Sequence, residues 1–136
     1  MSRKADATLD LFLEAALGRK AEDILVLDVR GLTSIADYFI ICSGRSNRQV
    51  SAIAEHIERF LKKNKVRPIS VEGKREGHWV LMDYGDVLIH VFFDETRRFY
   101  DLEGLWSDAK RLTPQRLKEY RQADTKTFDG EEVFVD

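Results

Sequence analysis

The chain has 136 residues, 43% of them hydrophobic and 34% charged, with a formal net charge of −2. That length suits one domain with its own core, and the balanced charge excludes a global basic field for nucleic acid. No apolar run approaches the ~18 residues of a membrane span, the first ten residues lack the apolar stretch of a secretory signal, and the lone Cys42 lies inside an apolar run, so a cytoplasmic protein without disulfides is expected.

Leu9, Phe12, Leu13 and Ala16 recur at helical spacing and Gly18 supplies a stop, which predicts a helix over residues 6–17 capped by Asp6 or Thr8. Residues 24–29 form a continuous aliphatic run short enough for a buried strand. A turn over 31–36 leads to a second strand at 38–43. Gly44-Arg45-Ser46 ends that strand and starts a helix. Ser46 with Gln49 has the form of a capping box. Val50, Ile53, Ala54, Ile57, Phe60 and Leu61 make one apolar stripe, so residues 47–63 are helical. The basic last turn, Lys62 and Lys63, complements the negative end of the helix dipole. Residues 68–72 read as a short strand near an edge because of Pro68, and residues 73–77 as a flexible polar loop.

Residues 78–93 are two apolar runs joined by the turn signal Asp83-Tyr84-Gly85-Asp86. With Tyr84 and Gly85 as the loop, Asp83 faces Asp86, Leu81 faces Leu88 and Trp79 faces His90. Side chains alternate across a strand, so Trp79, Leu81, Leu88, His90 and Phe92 share one face. Val80, Met82, Val87, Ile89 and Val91 share the other, which is purely aliphatic and reads as core. The mixed face suits a surface that meets something besides its own core. Beyond Phe93, residues Leu102, Leu105, Trp106 and Ala109 fit a short amphipathic helix, and Pro114 permits another over 114–122. The acidic segment after Gln122 reads as frayed. The order of elements predicts a single α/β domain over residues 1–112 with a mixed sheet of about five strands flanked by helices. Residues 113–136 follow as a C-terminal helix and acidic tail.

Catalytic chemistry finds little support. The Ser43-Gly44-Arg45-Ser46 junction, with Arg45 and Arg48, suits an anion at a helix N-terminus. A nucleotidyl-transfer site also needs paired carboxylates close behind it on the next strand, and no acid follows Ser46 until Glu55, inside the helix. Asp83 and Asp86 are explained as turn formers. His90, between Ile89 and Val91, reads as a hydrogen-bonded structural or interface residue rather than a general base. His56 is mid-helix and His78 lies twelve residues before His90, so no zinc ligand set forms. No metal, cofactor or catalytic residue is therefore expected. The seven Lys and Arg residues between Arg45 and Arg67 are a solvated helix face before they are a nucleic-acid surface. With Lys74 and Arg75 they reach phosphates only if a partner brings RNA near. Trp79, Phe99, Tyr100 and Trp106, beside Arg97 and Arg98, have the composition of a core and equally of an interaction hot spot. Residue chemistry alone leaves both readings open.

Several motifs occur together and in order: Asp37-Tyr38-Phe39-Ile40-Ile41-Cys42-Ser43-Gly44-Arg45-Ser46, then Glu72-Gly73, then Gly77 through Phe92, then Arg98-Phe99-Tyr100-Asp101-Leu102-Glu103-Gly104-Leu105-Trp106. Across roughly residues 5–112 the chain resembles the Iojap family, the ribosomal silencing factor S proteins. The resemblance implies a nucleotidyltransferase-like shape without the catalytic carboxylates, and a binding function instead of an enzymatic one. It implies docking on the large ribosomal subunit against its fourteenth ribosomal protein, with peripheral rRNA contact at most. The small subunit is then sterically kept from joining, and translation is repressed when nutrients are short. By position, the resemblance places the contact surface on Trp79, Leu81, Asp83, Leu88 and His90, with Arg98 and Tyr100 at its edge. The rival expectations are a nucleotide-binding enzyme using Ser46, Asp83 and Asp86, and a scaffold that forms a homodimer through the aromatic face.

Overall fold

In a computed structural model, residues 3–120 and 122 are described. The tail read as frayed lies outside the described residues. Ten elements follow one another: α1 (Arg3–Leu17), β1 (Glu22–Asp28), β2 (Tyr38–Gly44), α2 (Asn47–Lys63), β3 (Ser70–Glu72), β4 (Trp79–Asp83), β5 (Val87–Phe93), α3 (Asp94–Tyr100), α4 (Leu102–Leu105) and β6 (Lys110–Leu112). Residues 115–120 are again helical. The α1 helix begins upstream of the expected caps, so Asp6 and Thr8 lie within it.

The strands form one mixed sheet in the order β3-β4-β5-β2-β1-β6. β2 and β5 are parallel at its centre and the remaining pairs are antiparallel. A continuous apolar run belongs where both faces are covered, and every residue of β2 is buried. β6 went unread in the sequence. Lys110, Arg111 and Leu112 carry no strand pattern, and they are extended because they pair with β1 across Asp28, Leu27 and Val26.

One sheet face is sealed by the two long helices. The α2 stripe of Val50, Ile53, Ala54, Ile57 and Leu61 packs with α1 residues Leu9, Phe12, Leu13 and Ala16 on Val26, Ile40, Val80, Met82, Val87, Ile89 and Val91. Leu117, beyond β6, is buried in the same cluster. The capping box at the start of α2 is closed in both directions. The Ser46 hydroxyl accepts from the Gln49 N–H at 3.0 Å, and the Gln49 side chain accepts from the Arg45 N–H at 2.7 Å. Asn47 thus starts the helix where the capping motif placed it.

The β4–β5 hairpin differs from expectation in register. Its loop is Gly85-Asp86, with the Tyr84 N–H donating to the Val87 carbonyl at 3.0 Å. Gly85 has φ +89°, the positive value that a glycine at the first loop position supplies. Moving the loop by one residue moves each cross-strand partner by two. Trp79 faces Phe92, Leu81 faces His90 and Asp83 faces Leu88. Because the side-chain period is two, the assignment of residues to faces survives this correction.

Candidate partner-binding face

The second sheet face has thinner cover. Leu27, Phe39, Ile41, Leu88 and Phe92 form its buried centre, with Leu102 and Ala109 from the 102–109 segment laid over it. Trp79, Leu81 and Trp106 are only partly buried against that centre. The residues expected at the contact surface divide by depth. Leu88 and His90 are 7% and 5% exposed and form the floor. Trp79, Leu81 and Asp83 are half-buried along β4, while Arg98 and Tyr100 are exposed on α3. Two more large apolar side chains are exposed: Phe99, one of the aromatics read as core or hot spot and in contact with Tyr100, and Leu105 on α4. Phe99 is 81% exposed, Leu105 77% and Tyr100 51%. Their signal was an aromatic and a leucine inside short polar helices with too little apolar surface for a buried stripe of their own.

His90 fixes how Trp79 is presented. The indole N–H donates to His90 Nδ1 at 3.2 Å. An indole can only donate, so Nδ1 is the acceptor and the neutral ring carries its proton on Nε2. Phe39 meets the imidazole edge-on at 5.1 Å and Phe92 lies parallel to it at 6.2 Å. Burial among these rings pushes the His90 pKa down to about 4, which keeps the ring neutral and the indole bond intact at physiological pH. The Nε2 atom is buried without a hydrogen-bond partner. Trp79 also meets Phe92 at 4.8 Å and Tyr100 at 5.2 Å between ring centroids, with the rings tilted by 31° and 47°.

A cleft of about 550 Å³ opens beside the indole, lined by Glu76, His78, Trp79, Glu95, Phe99 and Tyr100. The 73–77 loop, expected to be flexible, is pinned to α2. Ser51 Oγ donates to the Lys74 carbonyl at 2.7 Å, and Lys74 Nζ reaches Glu58 at 2.8 Å and Glu55 at 3.1 Å. Lys74 is therefore tied to carboxylates and is not held out for phosphate. On the other side, Arg97 anchors α3. Its Nη1 donates to Ser43 Oγ at 2.7 Å and to the Asp23 carbonyl at 2.8 Å, and its Nε to Glu103 at 2.9 Å.

The residues of the rival enzyme reading are not brought together. Ser46 follows Gly44 at one end of β2, whereas Asp83 and Asp86 lie by Leu88 and Val87 at the other end. Six residue steps of strand separate those ends, about 20 Å. Each group has a local role or stands free. Ser46 caps α2, Asp83 accepts from the Gly85 N–H at 2.8 Å, and Asp86 is exposed. Among the described residues, no three His, Cys, Asp or Glu side chains cluster as metal ligands.

Fold and site together define a small α/β domain with one sealed sheet face and one that is half covered and aromatic. Residues 2–133 match the model of the family described as ribosomal silencing factor during starvation, RsfS, and the chain belongs to that family of regulatory factors. It is 48% identical over 91 residues to the ribosomal silencing factor RsfS of Bacillus subtilis, covering 67% of this chain and 77% of that one. A mouse relative, mitochondrial assembly of ribosomal large subunit protein 1, is 33% identical over 102 residues, 73% of this chain and 45% of that one. A crystal structure from Chromobacterium violaceum matches with a TM-score of 0.71 at 39% identity, covering 79% of this chain and 88% of that one. The family match runs to residue 133 and so extends the resemblance, expected over roughly residues 5–112, into the C-terminal segment.

Proposed function

We propose that this ribosomal silencing factor docks on the large ribosomal subunit, against its fourteenth ribosomal protein, and acts in the cytoplasm by steric exclusion. Its bulk at the subunit interface keeps the small subunit from joining, which represses translation under nutrient limitation. No bond is made or broken. The observation that carries the reading is the exposed pair Phe99 and Tyr100, in ring contact with each other and, through Tyr100, with half-buried Trp79. Large aromatic side chains at this density on a rim are the composition of an interface centre. About 800 Å² of such surface per partner holds a stable complex. Trp79, Leu81, Asp83, Arg98 and Tyr100 supply the accessible contacts, and Leu88 and His90 shape the floor beneath them. The name of the mouse relative, a large-subunit assembly protein, supports a partner on the same subunit.

The test uses exposed residues, so that folding and docking separate. Phe99→Ala combined with Tyr100→Ala is expected to abolish co-sedimentation with purified large subunits while the melting temperature stays within a few degrees of wild type. Undiminished co-sedimentation overturns this use of the face. The same aromatic pair also offers a surface to a second copy of the free protein. Light scattering with and without the ribosomal protein shows whether a homodimer competes with docking.

A further inference from the structure

We infer that the cleft between the 73–77 loop, β4 and α3 receives an arginine side chain presented by the docking partner. This deepens the docking function proposed above and rests on it for the partner, but not for the chemistry of the ligand. Trp79 and Tyr100 lie 5.2 Å apart at 47°, and Phe99 meets Tyr100 at 5.0 Å and 87°. All three rings line the cleft, so a side chain entering it meets aromatic surface. A ring face carries the negative part of the quadrupole and attracts a cation within about 6 Å.

Charge points the same way. Glu76 and Glu95 line the cleft with these rings, and among the described residues neither has an ion-pair or side-chain hydrogen-bond partner. No Lys or Arg side chain lines the cleft, and His78 is the one basic residue in its wall. Lys74 is held by Glu55 and Glu58, Arg97 by Glu103 and Ser43, and neither Arg75 nor Arg98 lines the cleft. The cleft thus holds two carboxylates without a Lys or Arg partner, one histidine and aromatic walls. A purely apolar side chain entering it would desolvate two carboxylates for nothing in return. Phosphate would be repelled, so this end of the face meets protein and not RNA. Arginine fits better than lysine, because a planar guanidinium stacks on a ring face while its fork bonds a carboxylate.

The probe is N-acetyl-L-argininamide, with N-acetyl-L-citrullinamide as its uncharged isostere, titrated into the full chain at pH 7.5. The readout is the indole N–H resonance of Trp79, identified by its loss in Trp79→Phe. Argininamide is expected to shift it saturably in the millimolar range, and citrullinamide at least five-fold more weakly. Glu76→Gln and Glu95→Gln are each expected to weaken argininamide about two- to five-fold, as for exposed charge pairs, and the double variant about ten-fold. An equal response to both probes, or indifference to both substitutions, overturns the assignment. Co-sedimentation with large subunits keeps the two readings apart. Normal argininamide binding without docking sinks the docking proposal alone, and docking without any argininamide response sinks the cleft alone.

Discussion

Arg97 ties α3 to β1, β2 and α4, and its replacement by methionine has a size that follows from the structure. The guanidinium makes three bonds, to Ser43 Oγ, the Asp23 carbonyl and Glu103, at 2.7, 2.8 and 2.9 Å. Its side chain is 12% exposed and that of Glu103 22%. The other oxygen of Glu103 is already buried without a partner. Arg97→Met keeps most of the aliphatic stem packed but leaves this carboxylate with neither oxygen bonded. Removing one partner of a fully buried pair costs 3–5 kcal/mol, and residual exposure lowers that here to about 3 kcal/mol. For a domain of this size the melting temperature should fall by about 10 to 15 °C. Because the lost energy is chiefly the stranded carboxylate, Arg97→Met with Glu103→Met should recover more than half of the loss. Calorimetric melts of the single and double variants decide it. If the single change lowers the melting temperature by less than about 3 °C, or if the double variant is no more stable than the single, Arg97 is not the tie inferred.

Three further outcomes are expected. The His90 pKa lies below its ordinary value because of burial, at about 4, so the unfolded chain binds more protons between pH 4 and 6.5. His90 therefore favours the folded state fully above pH 6.5 and loses on the order of 3 kcal/mol as pH falls to 4. Stability profiles of wild type and His90→Phe should diverge in that window, and parallel profiles would rule the effect out. Burial pushes the Cys42 thiol up to about 12, so a disulfide reagent at pH 8 should label it only after denaturant unfolds the chain; rapid labelling of the native protein contradicts the packing. Gly73 has φ +86°, and a Cβ there would strike the Trp79 carbonyl, whereas Gly31 at φ +82° has open space around it. Gly31→Ala should cost about 1 kcal/mol for backbone strain alone, and Gly73→Ala about 2–4 kcal/mol because the contact adds to it. Equal melting temperatures for the two variants would refute the clash.

Local pattern was enough for the long elements. The α2 stripe from Val50 to Leu61 and the Ser46–Gln49 cap decide that helix through contacts within one or two turns. The apolar run of β2 needs only a covered sheet to be a strand. The faces of the β4–β5 hairpin were legible for a similar reason: a period of two survives a shifted loop. The register was not, because Tyr84-Gly85 and Gly85-Asp86 are both acceptable loops to the local chain. Cross-strand pairing, Asp83 against Leu88 and Trp79 against Phe92, chooses between them. Nor was β6 legible, since Lys110–Leu112 is extended only by virtue of β1 alongside it.

The family motifs named a surface, but its depth is a tertiary property. Whether Trp79, His90 and Tyr100 are core or contact depends on which elements cover the sheet, and no residue carries that in its own chemistry. Composition and periodicity determined one α/β domain with an aromatic strand pair. Packing alone decided that His90 lies beneath that face holding the indole, that Phe99 and Leu105 are exposed, and that Glu76 and Glu95 converge on one cleft. The reason is range. Periodicity reports forces between near neighbours in sequence, whereas a site is made where distant segments fail to cover one another.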